Sequence, residues 1–187
     1  MLKSIILYPS MQMTRWLLAM GLILFILVYS YMLSFFSEAG ITTDEFNTVW
    51  LSFDVNQFKT FIEMLDQQGN LPSFLATFKW NILSISAFMV AFYSLALIIA
   101  RNLSKDSRLS KIAPIFPLFA VGIALIDILS SLLIISAGSE LGQLSVLMAN
   151  TISGAYVARV IPLYILLIWF IVAGFTIIRE KYRNSRQ

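Results

Sequence analysis

The chain contains no cysteine and no histidine. Without Cys there are no disulfides, no thiolate nucleophiles and no thiol redox chemistry. Without His there is no imidazole base, and zinc sites built from Cys and His go with it, as do His-ligated haems. Serine triads and rhomboid-type dyads need His as well. No Gly-rich phosphate loop of the GxxxxGK[ST] or GxGxxG type occurs. No cofactor is expected.

Charge is the other scarcity. Charged residues make up 12% of the 187 and hydrophobic ones 59%, whereas soluble domains carry about 25% charge. Too little polar surface remains to keep such a chain dissolved, so lipid must solvate much of it.

The apolar residues fall in four long runs. Spanning ~30 Å of hydrocarbon takes ~20 residues as a helix, and the runs at about 16–36, 80–100, 112–137 and 155–178 meet that length. Within them Asp127 is the only acid, and Arg159 stands near the start of the fourth. The runs do not alternate as barrel strands would. The fold class expected is all-α: an integral membrane four-helix transmembrane bundle forming one domain over 1–187. Ser37-Glu38-Ala39 before Gly40 resembles a signal-peptide cleavage site. The apolar run before it exceeds the ~7–15 residues of a signal core, so the first run is read as a retained span.

The net charge of +3 sorts by membrane side and calls for no nucleic acid. Lys3 and Arg15 precede the first span, Arg101, Lys105, Arg108 and Lys111 lie between the second and third, and Arg179, Lys181, Arg183 and Arg186 follow the fourth. The loop between the first two spans carries Glu38, Asp44, Glu45, Asp54, Glu63 and Asp66 against Lys59 and Lys79. By the positive-inside rule both ends are cytoplasmic and the acidic loop is extracytoplasmic. The location expected is a cell membrane, with a bacterial inner membrane preferred.

That loop holds an extra amphipathic helix, expected over 54–68. Asp54 is placed to cap it and Gly69 to stop it, while Phe58, Phe61, Ile62 and Leu65 form one apolar face. It either packs over the bundle mouth or rests among headgroups. The acids Asp44, Glu45 and Asp54 lack the alternate spacing of a calcium loop, and no metal site is expected. From Leu141 to Ile178 one helix would be ~57 Å long, so either an outer helical piece precedes the fourth span or the helix bends near Gly154 or Pro162. Gly138 and Gly142 spell GxxxG but fall in the expected outer loop.

Small residues mark where membrane helices approach. The second span shows Asn81, Ser84, Ala87, Ala91 and Ser94 on one face. The third shows Ala113, Pro117, Ala120, Ala124, Asp127 and Ser131. Asp127 therefore faces protein. An intramembrane charge is costly, and Arg159 lies within reach if the two helices run antiparallel. Three readings stay open for Asp127: a structural ion pair or neutral acid, a ligand, ion or proton site, or an oligomer contact. The candidate binding residues are Asp127, Arg159, Tyr156, Asn81 and Ser131.

From about Asp54 to Ile178 the layout resembles a group of small bacterial four-span membrane proteins of unknown function. The likeness lies in the helix ending at Gln68-Gly69, in Pro117-Leu118 opening a span that carries Asp127, and in Ser153, Tyr156 and Arg159. Where that group tends to show Asp-x-x-Glu-Asn, this chain has Asp127-Ile128-Leu129-Ser130-Ser131 and lacks the second acid. The resemblance implies a four-span fold. The function expected is non-enzymatic binding of a partner membrane protein or a small hydrophobic ligand. Membrane lipid is the expected surroundings, and another membrane protein or a second copy of the chain a possible associate. The alternative is a small transporter or channel subunit using Asp127 as a protonatable site. A lipid enzyme is disfavoured, because no pair of nucleophile and base can be assembled.

Overall fold

The computed structural model describes residues 9–104, 107–139 and 144–185. Among them the elements are α1 (Met11–Glu38), α2 (Thr43–Trp50), α3 (Val55–Gln67), α4 (Leu71–Asn102), the short α5 (Arg108–Ile112), a 3₁₀ turn (Ala113–Ile115), α6 (Phe116–Ser139) and α7 (Val146–Asn184). No strand is present among the described residues. The four long apolar helices are α1, α4, the α5–α6 segment and α7, each long enough to cross a membrane, and all are longer than the expected spans.

The expected loop helix is α3. Asp54 accepts from the Asn56 N–H at 2.8 Å, and Phe58, Phe61, Ile62 and Leu65 are buried. Gly69 at φ +73° closes it, with the Gly69 N–H on the Asp66 carbonyl and the Asn70 N–H on that of Leu65. This is the left-handed exit that favours glycine. The helix packs on the bundle. Its apolar face meets Trp50, Phe74, Phe78 and Ile152 in one cluster.

Before α3 stands α2, which the apolar periodicity did not announce. Its signal is local: Thr42 and Glu45 form a reciprocal capping box, in which the Thr42 hydroxyl accepts from the Glu45 N–H while the Glu45 carboxylate accepts from the Thr42 N–H at 2.9 Å. Trp50, at its end, is buried among Phe46, Phe58 and Phe78.

Two boundary expectations change. No separate outer piece precedes the fourth span, since α7 runs as one helix from Val146 through Pro162 to Asn184. Its 39 residues amount to ~58 Å. The excess at its start is held by protein, with Ala149 and Ile152 buried in the cluster that also contains α3. Gly138 belongs to the last turn of α6, where it is pressed against Leu75. Gly142 lies outside the described residues.

The long helices pack in chain order, α1 on α4, α4 on α6 and α6 on α7. Both small-residue stripes face these contacts: Ser84, Ala87, Ala91 and Ser94 are buried on α4, and Ala120, Ala124, Asp127 and Ser131 on α6. Gly21 of α1 lies so close to α4 that a Cβ there would meet the Ala91 nitrogen at 2.9 Å. A second cluster, around Phe116 stacked on Trp169 at 4.1 Å, closes the bundle at the end away from α2 and α3. There Ser104 donates to Glu180 at 2.9 Å, and Arg101 donates to Thr14 and to the Pro9 carbonyl.

Candidate functional site

The long helices pack in a row, so the two at its ends are left apart. α1 and α7 are not packed against each other, and between them lies a cleft of about 480 Å³ whose back wall is α4 and α6. Most of its lining is apolar. Phe25, Tyr29, Met32 and Phe36 form the α1 wall, Val160 and Leu163 the α7 wall, and Phe78, Ile85 and Phe88 project from α4. Thr43 and Phe46 of α2 close one end.

Asp127 and Arg159 meet on its floor in an ion pair. Each arrives there for a local reason. Asp127 occupies the stripe of α6 that faces protein, and Arg159 projects from the fourth turn of α7 across to it. They are unequally exposed, the Arg159 side chain at 29% and that of Asp127 at 8%. Whatever enters the cleft meets the guanidinium first. Among the described residues the guanidinium donates only to Asp127, out of five N–H groups.

The other candidates fall in two places. Asn81 lines the cleft and donates to Ser131 at 3.0 Å, which joins α4 to α6 beside the pair. Tyr156 does not line it. Its ring lies under the Arg159 guanidinium, 4.7 Å from centroid to carbon, and its O–H donates to Asn47 of α2 at 2.7 Å. A polar chain therefore runs from the floor of the cleft to the helix that closes its end: Asp127, Arg159, Tyr156, Asn47. The arrangement offers hydrogen-bond donors within an apolar slot, the usual make-up of a small-molecule site.

Sequence reasoning reached the polar residues and missed the walls. The α1 wall had a signal, because Phe25, Tyr29, Met32 and Phe36 recur at spacings of four, three and four. It reads as a lipid-facing stripe until the position of α7 is known. The aromatic contribution of Phe46 depended on recognising α2.

The chain matches no family model, no curated protein and no solved structure. Its four apolar helices fit a multi-pass membrane protein.

Proposed function

We propose that this chain is a membrane-embedded binding protein that takes a small hydrophobic ligand sideways from the bilayer into the cleft between α1 and α7. The observation that carries this reading is the cleft itself, an apolar slot with the Arg159 donor at its floor, open between two helices that face lipid. A slot within a bundle, lined mostly by hydrophobic and aromatic side chains and holding a few polar groups, suits a ligand of drug-like size. A carrier using Asp127 as a proton site has less support, because that carboxylate is paired with Arg159 and only 8% exposed.

For orientation, we infer that α2 and α3 are extracytoplasmic and both ends cytoplasmic, in a bacterial inner membrane. The charge asymmetry supports the sidedness, and the resemblance of residues 54–178 supports the bacterial setting. Single cysteines at Ser107 and Gln67 are expected to label from opposite sides.

The functional reading is tested by purifying the protein in mild detergent and identifying the small molecules retained, beside a Leu163→Trp variant that fills the cleft. We expect a retained hydrophobic molecule that is lost from the folded variant. Equal retention by both proteins, or none by either, overturns it.

A further inference from the structure

The position of the cleft along the bundle narrows what it holds. Taking ~1.5 Å per residue, Arg159 lies ~28 Å above the far end of its span at Ile178, and Asn81 lies ~28 Å above Ala100. With those ends taken at one face of a hydrocarbon layer ~30 Å thick, both backbone positions fall near the other face, on the α2–α3 side, and the guanidinium, drawn to Asp127 ~22 Å above Ile112, lies a few Å inside it. Trp80, in edge contact with Tyr31 at 4.8 Å, marks the same level, as interfacial aromatics do. The deepest wall residue, Phe25, lies ~14 Å above Trp16 on the same count. The cleft thus runs from about the midplane to one boundary, which is one leaflet. A partner helix crossing the bilayer would need a groove twice as long, whereas a single lipid chain would not.

The floor decides the polar end. Asp127 and Arg159 together are neutral, so an added anion would have to compete with Asp127 for the guanidinium or be buried beside a carboxylate. A neutral acceptor needs neither, since the guanidinium lines the cleft and has further N–H groups that donate to no described residue. At the hydrocarbon boundary, the neutral acceptors of a bilayer lipid are its ester carbonyls.

Resting on the binding function above, we propose that the occupant is one ester-linked acyl chain of a lipid from the leaflet on the α2–α3 side. Its chain lies against Phe25, Ile85 and Phe88, and its ester carbonyl accepts from Arg159. The second chain and the headgroup stay in the bilayer, leaving between α1 and α7, because Thr43 and Phe46 of α2 close the upper end. This assigns Arg159 the recognition of the ester, Asp127 the holding of Arg159, and Tyr156 its support from the α2 side.

The test leaves the protein unaltered and changes the lipid. Dioleoyl phosphatidylethanolamine and its diether counterpart share headgroup and chains and differ in the ester carbonyls. Native mass spectrometry in mild detergent should show the diester bound at least about tenfold more tightly, the worth of a hydrogen bond to a charged donor. In Leu163→Trp both lipids should fall to background. Equal binding of the two lipids, abolished by Leu163→Trp, overturns the ester inference and leaves hydrophobic binding in the cleft standing. Binding of either lipid that survives Leu163→Trp overturns both.

Discussion

The side of the bundle where α4 is held between α1 and α6 differs in kind from the side where α1 faces α7. On the first, small side chains and one glycine let backbones approach to the limit. Gly21 lies against Ala87 and Ala91, and Ser84 and Ser94 are buried on the same helix. On the second, Phe25, Tyr29 and Phe36 of α1 look across a gap at Val160 and Leu163. Helices in lipid gain nothing from merely hiding apolar surface, since lipid tails are as apolar as leucine. Close packing is what joins them, and bulky rings without matching hollows leave a gap. The chain invests in contact on one side and withholds it on the other. α7 is joined to the first side by the apolar cluster around Phe116 and Trp169 at one end and, at the back of the gap, by the Asp127–Arg159 pair.

That pair is where the comparison is most easily broken. Removing one member of a poorly solvated ion pair leaves a charge uncompensated, at about 3–5 kcal/mol. Asp127→Ala and Arg159→Ala should each lower thermal stability in detergent by a shift of that order. The double change should cost less than either single one, and Asp127→Asn less than Asp127→Ala, because its amide oxygen still accepts from the guanidinium whose charge it no longer balances. Double-mutant analysis of melting or denaturant curves checks this. If the single and double changes simply add, the pair does not join the two sides.

The close side is probed next. Leucine at position 21 would push into the Ala91 backbone, which cannot yield as a flexible side chain would. Overpacking of this sort costs ~1–3 kcal/mol, and Gly21→Leu should lose about that much by forcing α1 off α4. Gly122 of α6 is the control: nothing lies within 4 Å of a Cβ added there. Gly122→Ala should therefore be neutral or gain the ~0.5–1 kcal/mol by which alanine outdoes glycine within a helix. Similar losses at both positions would mean that α1 is not held by close approach.

The close side was the legible one. Small-residue spacing on α4 and α6 says which faces meet, because that packing is periodic and local to each helix. Asp127 stood on such a face, and α3 declared itself through Asp54, Gly69 and four apolar positions. The open side was not legible, because a gap belongs to the relative placement of helices and to no single stretch of sequence. Phe25, Tyr29 and Phe36 look the same whether they face lipid or a cleft. The length of α7 misled for a related reason. A helix of ~58 Å is too long for a bilayer alone, but not for a bilayer plus the layer that α2 and α3 build above it. The sequence reading lacked α2, whose capping box Thr42-x-x-Glu45 is a short signal without apolar periodicity before it.

The smallest expected effect sharpens the comparison at the end of the cleft that α2 closes. The Thr42 hydroxyl, and after it the Thr42 backbone N–H, hold the Glu45 carboxyl below its ordinary value of 4.5. A carboxyl lowered in the folded state stabilises that state fully at pH values above 4.5, and the contribution is lost as the pH falls below it through the folded-state value. Protonation weakens one half of the capping box, so the amides of residues 43–50 should exchange with solvent faster on acidification, after correction for their intrinsic rates. Glu45→Gln should show the faster exchange already at neutral pH and little further change. Asp44, in the same turn, is present in both proteins, so the difference between them isolates Glu45. The amides of α4 around Ala87 and Ala91, on the tightly packed side, should not respond in either protein. A response there equal to that of α2 would mean that acid loosens the whole bundle and that α2 is not a separately yielding end of the cleft.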